Sequence, residues 1–295
     1  MSKAIVIREY GGPEILQLES VQVGNPGKGE LRIRQTCLGV NFHDVYVRSG
    51  LYKTLALPGV PGIEGVGVVE DIGSDVEGFV VGDRVTYITS AYGGYASERI
   101  LAADIAVKLP ETIDDETAAS VFLKGLTVDM LVNSVGRIQP GDQVLVQAAA
   151  GGVGQLLSQW ASHLGATVIG TAGSAEKAEI ARKAGCSHVI LYRQEKVAES
   201  VKAITAGRGV NVAFDSVGKD TFAGSLDSLA LCGHLVNFGQ SSGPVEPVAL
   251  TQLSIRSTSL TRPMLFHYTA RRWRLAAAHA FLESRQATTP VVLTV

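Results

Sequence analysis

"QAAAGGVGQ", residues 147–155, sets three alanines and three glycines among nine positions. Side chains this small leave room for a second backbone or a ligand to approach closely. The residues before it, "DQVLVQA" (142–148), form a near-continuous apolar run of strand length, and those after it, "QLLSQWASHL" (155–164), are amphipathic and of helix length. A strand, a glycine loop and a helix in that order make the site where a doubly wound sheet receives a dinucleotide. Ala148, Gly151 and Gly154 keep the fingerprint spacing, with alanine at the first small position. Gly151 and Gly152, followed by Val153, bring backbone N–H groups to a pyrophosphate, and Gly154 permits close helix–strand packing.

The same rhythm continues outward. Strands are expected at "DQVLVQA", "ATVIGT", "SHVILY", "VNVAFDSV" and "GHLVNFG". The helices between them are "QLLSQWASHL", "AEKAEIARKA", "EKVAESVKAIT" and "TFAGSLDSLAL". Apolar strands alternating with helices imply a parallel sheet covered on both faces. Upstream of about Lys124 the pattern changes to short β-rich runs, "LRIRQTCLGVNF", "GVGVVEDIG" and "DRVTYI", broken by turns such as "LPGVPG". The fold class is therefore α/β, a β-rich domain followed by a doubly wound parallel-sheet domain.

An NAD site carries an acidic residue at the end of the second strand, on the ribose hydroxyls. Here "TVIGTAGSAEK" (167–177) has no negative charge from Thr167 to Ala175. Thr171, Ala172, Gly173 and Ser174 leave space, while Ser174 and Lys177 offer a hydroxyl and a charge to a 2′-phosphate. That favours NADP, with Tyr192 and Arg193 as further candidates for the phosphate or the adenine. Lys177 also reads as a solvated residue in the first turn of a helix, and both readings stay open.

Bulk properties narrow the rest. The chain has 295 residues, 46% hydrophobic, 18% charged, with a formal net charge of -2, so no global basic field is available for nucleic acid or an anionic membrane. No apolar stretch of signal-peptide length opens the chain, no uninterrupted run of about 18 apolar residues occurs elsewhere, and the cytoplasm is the expectation. Cys37, Cys186 and Cys232 are widely separated and odd in number, which suits reduced thiols.

Taken together, "GGPEILQLE", "GVNFHDVYVRSGLY", "FLKGLTV", "AAAGGVG", "FDSVG", "VNFGQSSG", "LTRP" and "FLESR" resemble the zeta-crystallin-like NADPH:quinone oxidoreductases, a zinc-free branch of the medium-chain dehydrogenase/reductases. The resemblance spans nearly the whole chain. It implies a GroES-like catalytic domain over 1–124, completed by about 276–295, and a Rossmann NADPH-binding domain over 125–275. It further implies a cleft between them, a small-molecule quinone substrate reduced by hydride or electron transfer from the nicotinamide, and a homodimer joined through the Rossmann sheets. Activated enones or alkenals are the alternative substrates. Recruitment as an NADPH-binding lens crystallin or RNA-binding protein is the alternative of another class, and the slightly negative charge and absence of a stacking-aromatic module weigh against RNA.

Zinc-dependent relatives carry a cysteine in the segment matching "GVNFHD" and a histidine in the one matching "GIEG", where this chain has Asn41 and Ile63. Neither replaces a thiolate or an imidazole on zinc, so no metal is expected. His43 and Asp44, read as neighbours on a strand, face opposite sides and make a poor ligand pair. Without a Lewis acid the acceptor must be electrophilic in itself, as quinones and conjugated enones are. The protein then supplies positioning and neutral hydrogen-bond donors. By resemblance these are Asn41, Tyr46 and Tyr52 of "NFxDxYxRSGLY", although tyrosines of a β-rich domain are also ordinary core residues. The resemblance brings Asn41, Lys124 and Thr127 to the nicotinamide side, and Lys124 reads equally as a structural cap. It assigns Ser216, Val217, Phe238, Gly239, Ser241 and Arg262 to the nicotinamide ribose and pyrophosphate; Asp215 is either part of that site or a loop cap. Finally, "ARRWRLAAAHAFLESR" (270–285) is about 30 residues shorter than the family pattern, through a true deletion near Arg274–Ala278 or a loop omitted between its two sides.

Overall fold

The computed structural model describes residues 1–269. The chain divides into two compact units, Met1–Leu123 and a second beginning at Lys124. In the first unit, β1 (Ser2–Val6) and β2 (Gln17–Val21) form an antiparallel pair. A five-stranded antiparallel sheet follows from β3 (Glu30–Leu38), β4 (Glu64–Ile72), β5 (Arg84–Ile88), β6 (Glu98–Ala102) and β7 (Ala106–Lys108), in the order β6-β3-β4-β5-β7. Alternate residues of these strands, Leu31, Ile33, Val69, Val85, Tyr87 and Leu101, close into one buried cluster.

One expectation is corrected here. The strand "LRIRQTCLGVNF" stops at Leu38, and residues Phe42–Arg48 form a helix, α1. His43 and Asp44 are thus consecutive helical residues rather than opposite faces of a strand. The cause is local: the Asp44 carboxylate accepts the Asn41 N–H at 2.8 Å and starts the helix at the residue after Asn41.

Helix α2 (Asp115–Asp129) runs on into a π-helical turn, Met130–Gly136. The 22 residues Asp115–Gly136 are apolar and long enough to cross a membrane by composition alone. Leu126, Val128, Met130, Leu131 and Val132 are nevertheless buried in the protein, which is the behaviour of a core helix.

The second unit alternates strand and helix: β8 (Gln143–Val146), α3 (Gly152–His163), β9 (Thr167–Ala172), α4 (Ala175–Lys183), β10 (His188–Leu191), α5 (Val197–Ile204), β11 (Val210–Asp215), α6 (Phe222–Asp227), β12 (Leu229–Asn237), α7 (Thr251–Ser254), β13 (Ser259–Thr261) and α8 (Leu265–Thr269). The sheet order is β10-β9-β8-β11-β12-β13, and every pairing is parallel. Val144 and Val146 of β8 enter one apolar cluster, with Leu157, Val168 and Phe214, while Leu145 enters the other, with Ile169, Ile190 and Leu235. Both faces are covered, as the unbroken apolar strands require. Leu157, fully buried on α3, is worth about 2–5 kcal/mol against alanine.

The expected helix "TFAGSLDSLAL" is shorter than its pattern. It ends at Asp227, and Leu229 begins β12 opposite Val210. Completely buried Leu229 serves the sheet better than a further helical turn, and the register shift between Val210 and Val212 absorbs the extra residues.

Candidate functional site

In the doubly wound order, the chain leaves β8 for β9 on one side and β11 pairs on the other, so the strand order reverses at the carboxyl end of β8. The residues there are 147–152. Ala148 has φ 53, a left-handed conformation, and the Gly151 N–H closes the turn on Ala148 O at 2.9 Å. Gly151 is the N-cap of α3, and the first N–H groups of that helix, on Gly152, Val153 and Gly154, precede its first closed turn at Gln155. The helix dipole adds positive potential at the same end. A Cβ on Gly154 would lie 2.4 Å from Ala148 O and 2.8 Å from Ala149 Cα, so this glycine is required by close approach. The Val153 side chain packs against the core, leaving its backbone as the part turned to the loop. Lys124, on α2, lays its stem over Gly152, with Cδ and Cε 3.0 Å from where a Cβ would be. Thr127 follows one turn along.

The end of β9 gathers four of the sequence-predicted residues. Ser174 is the N-cap of α4, its hydroxyl accepting the Lys177 N–H at 3.3 Å. Tyr192 is 48% exposed, and its Oη lies 2.6 Å from where a Gly173 Cβ would stand, so the phenol covers that glycine. Glu176 stands in the first turn of α4, and the Ser174 hydroxyl holds its carboxyl below the usual range. The loop itself, 173–175, carries no acid.

Beneath these loops lies a buried polar chain. Thr171 Oγ1 donates to Gln147 Oε1 at 2.8 Å, Gln147 Nε2 to Ser225 Oγ at 3.0 Å, and Ser225 Oγ to Asp215 Oδ2 at 2.8 Å. Asp215, completely buried, also accepts the Val217 and Gly218 N–H groups at 2.8 and 3.0 Å and the Thr221 hydroxyl at 2.8 Å. Its position is therefore that of a buried loop cap, and through it three strand ends are tied together. Ser216 and Val217 are in turn zipped to the loop after β12: Ser241 N donates to Ser216 O at 3.3 Å and Ser242 N to Val217 O at 2.9 Å. Phe238 packs partly against the core, and Arg262 Nη1 donates to the carbonyls of Asn237 and Gly239 at 3.2 and 2.8 Å. Arg262 thus fastens the carboxyl end of β12.

The first unit holds Asn41, Tyr46 and Tyr52. Asn41 caps α1; Tyr46, on that helix, is 8% exposed. Tyr52 N donates to Tyr46 O at 2.9 Å, and the two rings meet edge to face at 5.1 Å. The His43 ring stands 5.5 Å from Tyr52 and 6.0 Å from Tyr92, with Nε2 3.4 Å from Tyr92 Oη. Tyr92 also hydrogen-bonds Thr54. Burial lowers the basicity of His43. Asn41 Nδ2 donates to Glu64 Oε1 at 2.7 Å, a partner the sequence reading missed. The signal was present, since Glu64 is the sole charge in the apolar run 57–69. Gln147, Ser225 and Tyr92 were also missed, and no pattern of residue types marks them.

Residues 27–111 match the family described as alcohol dehydrogenase GroES-like domain, and residues 152–281 the one described as zinc-binding dehydrogenase. The quinone oxidoreductase of Salmonella typhimurium is 46% identical over 279 residues, 94% of this chain and 85% of that protein. The chain belongs to the quinone oxidoreductase family. Among family structures, that of Escherichia coli quinone oxidoreductase complexed with NADPH matches with a TM-score of 0.91 at 45% identity, covering 96% of this chain and 87% of that one. A 2-haloacrylate reductase from Burkholderia is 44% identical over 279 residues, 92% of this chain and 84% of that protein. The family membership bears out the expected GroES-like and Rossmann architecture. The shortened stretch near Arg274–Ala278, and the expected return of residues 276–295 to the first domain, lie outside the described residues.

Proposed function

We propose that this protein is an NADPH-dependent, zinc-independent oxidoreductase that reduces quinones. The observation that carries the cofactor choice is the carboxyl end of β9, where the Tyr192 phenol covers Gly173, Ser174 caps the helix that carries Lys177, and residues 173–175 include no acid. The NADPH complex of the Escherichia coli relative and the names of the quinone oxidoreductase relatives support the same reading.

The residues fit the dinucleotide. The N–H groups of Gly152 and Val153, at the positive end of α3, would hold the pyrophosphate, while the Gly151 N–H is used in closing the turn on Ala148 O. Ser174 and Lys177 take the 2′-phosphate, Tyr192 the adenine side. Lys124, Thr127, Ser216, Val217, Phe238, Gly239 and Ser241 hold the ribose and nicotinamide portion, on loops fixed by Asp215 and Arg262. When bound, NADPH supplies a hydride. Asn41, Tyr46 and Tyr52 donate hydrogen bonds to the acceptor oxygen as it becomes negative, and as neutral groups they need no prior ionisation. A zinc ion does not fit: Asn41 offers a neutral amide, one of whose two N–H protons is already donated to Glu64, and Ile63, 3% exposed in the apolar interior, has no ligand atom.

A second reading, reduction of activated alkenes by the same hydride chemistry, is favoured by the relative named 2-haloacrylate reductase. The working unit in this account is a cytoplasmic homodimer joined through the parallel sheets. Its support is that β13 is an edge strand among the described residues and that Leu231 and Ile255, before it, are 77% and 79% exposed. The test is to mix the protein with NADPH or NADH and a simple benzoquinone and follow loss of the reduced nicotinamide absorbance. Quinone-dependent oxidation preferring NADPH is expected; tight NADPH binding with no turnover of quinone or enone overturns the enzyme reading.

A further inference from the structure

We propose that Glu64 is a positioning residue of the reaction, setting the orientation of the Asn41 carboxamide; this rests on the role given to Asn41 above. Glu64 opens β4 and is 1% exposed. Its two carboxylate oxygens meet two separate donors, Asn41 Nδ2 at 2.7 Å on Oε1 and the Leu123 N–H at 3.2 Å on Oε2. The space for the side chain is built in: a Cβ on Gly39 would lie 2.0 Å from Oε1 and 2.5 Å from Cγ of Glu64. Burying a carboxylate in an apolar strand is costly, and here the cost is offset by charge-assisted hydrogen bonds at both oxygens.

A carboxylate only accepts, so the carboxamide of Asn41 must turn its nitrogen to Glu64, one N–H on the carboxylate and the second left as the donor for the acceptor oxygen. The Asn41 main chain is held independently, by Asp44. Both backbone and side chain of this residue are therefore fixed before any substrate arrives. A glutamine at position 64 has the same shape but one acceptor and one donor. It satisfies Asn41 as it stands or the Leu123 N–H, and keeping the latter requires the Asn41 carboxamide to turn over.

The experiment is a double-mutant cycle on quinone reduction with Glu64→Gln, Asn41→Ala and the pair, with urea midpoints measured on each to confirm folding. Glu64→Gln is expected to lower kcat about tenfold in the wild-type background, the size of one charge-assisted hydrogen bond, and less than twofold in the Asn41→Ala background. If Glu64→Gln does not fold, the cycle is run with Glu64→Asp, which keeps an acceptor-only carboxylate but withdraws it by one methylene, with the same non-additivity expected. Equal losses in both backgrounds, or no loss in either, overturn the proposal while leaving the reductase reading intact. A wild-type protein with no quinone-dependent NADPH oxidation instead overturns that reading, and this one with it.

Discussion

Replacing Gly154 by alanine puts the packing of the glycine loop to a test in which two effects have opposite signs. Helix propensity alone favours the change, by about 1 kcal/mol for an interior glycine. The structure opposes it: the new Cβ would stand 2.4 Å from Ala148 O, 2.8 Å from Ala149 Cα and 3.0 Å from Ala149 C, all backbone atoms. Ordinary contact begins near 3.4 Å, so α3 and the loop must part by up to 1.0 Å. Overpacking of this kind costs about 1–3 kcal/mol, which leaves a net loss of roughly 0–2 kcal/mol. The larger effect falls on binding, since the parting moves the N–H groups of Gly152 and Val153 relative to the strand ends proposed to hold the rest of the cofactor. A misplacement of about 1 Å costs on the order of a hundredfold where geometry is tight. Urea unfolding followed by circular dichroism gives the stability, and fluorescence titration gives the NADPH affinity. The expected outcome is unchanged or lower stability with affinity weakened tenfold or more. A variant about 1 kcal/mol more stable, with unaltered affinity, refutes the close-approach argument.

Removing the charge of Lys177 by alanine should raise KM for NADPH at least tenfold and leave KM for NADH nearly unchanged in steady-state assays; equal effects on both remove Lys177 from the phosphate site. Asp215→Asn keeps one acceptor oxygen and turns an amide nitrogen toward the Thr221 and Ser225 hydroxyls, so thermal unfolding should report a loss of about 2–3 kcal/mol, with NADPH affinity falling in parallel. Burial lowers the folded pKa of His43, so below about pH 6.5 the unfolded chain takes up a proton that the folded state resists, and stability falls as pH falls. Its removal in His43→Leu should flatten that part of the stability profile, measured by urea midpoints across pH; an unchanged slope assigns it elsewhere.

Much of this architecture is legible in the amino-acid order because its elements carry their own periodicity. The β8 run is apolar throughout since both faces are buried, and the helix-length amphipathic segments between strands leave few other packings. Failures cluster where local chemistry competes with pattern. The segment 42–48 continues an apolar strand to the eye, yet Asp44 reaches back to the Asn41 N–H and turns it into a helix. "TFAGSLDSLAL" keeps a helical composition, but Leu229 is claimed by the sheet. Glycine spacing pointed to the loop, and small residues to the carboxyl end of β9. The polar chain through Thr171, Gln147, Ser225 and Asp215 was not foreseen, because its members are 10 to 78 positions apart and only the fold makes them neighbours. Glu64 was visible as a lone charge in an apolar run, but its partner, Asn41, lies 23 residues away.

The proposed reductase activity rests on hydride transfer from NADPH to an acceptor activated without a metal. The direct measurement is the rate of quinone-dependent NADPH oxidation before and after exhaustive dialysis against a strong chelator, with zinc content determined on the same samples. An undiminished rate in zinc-free protein is the predicted result. A rate that disappears with the metal and returns on adding zinc contradicts the account.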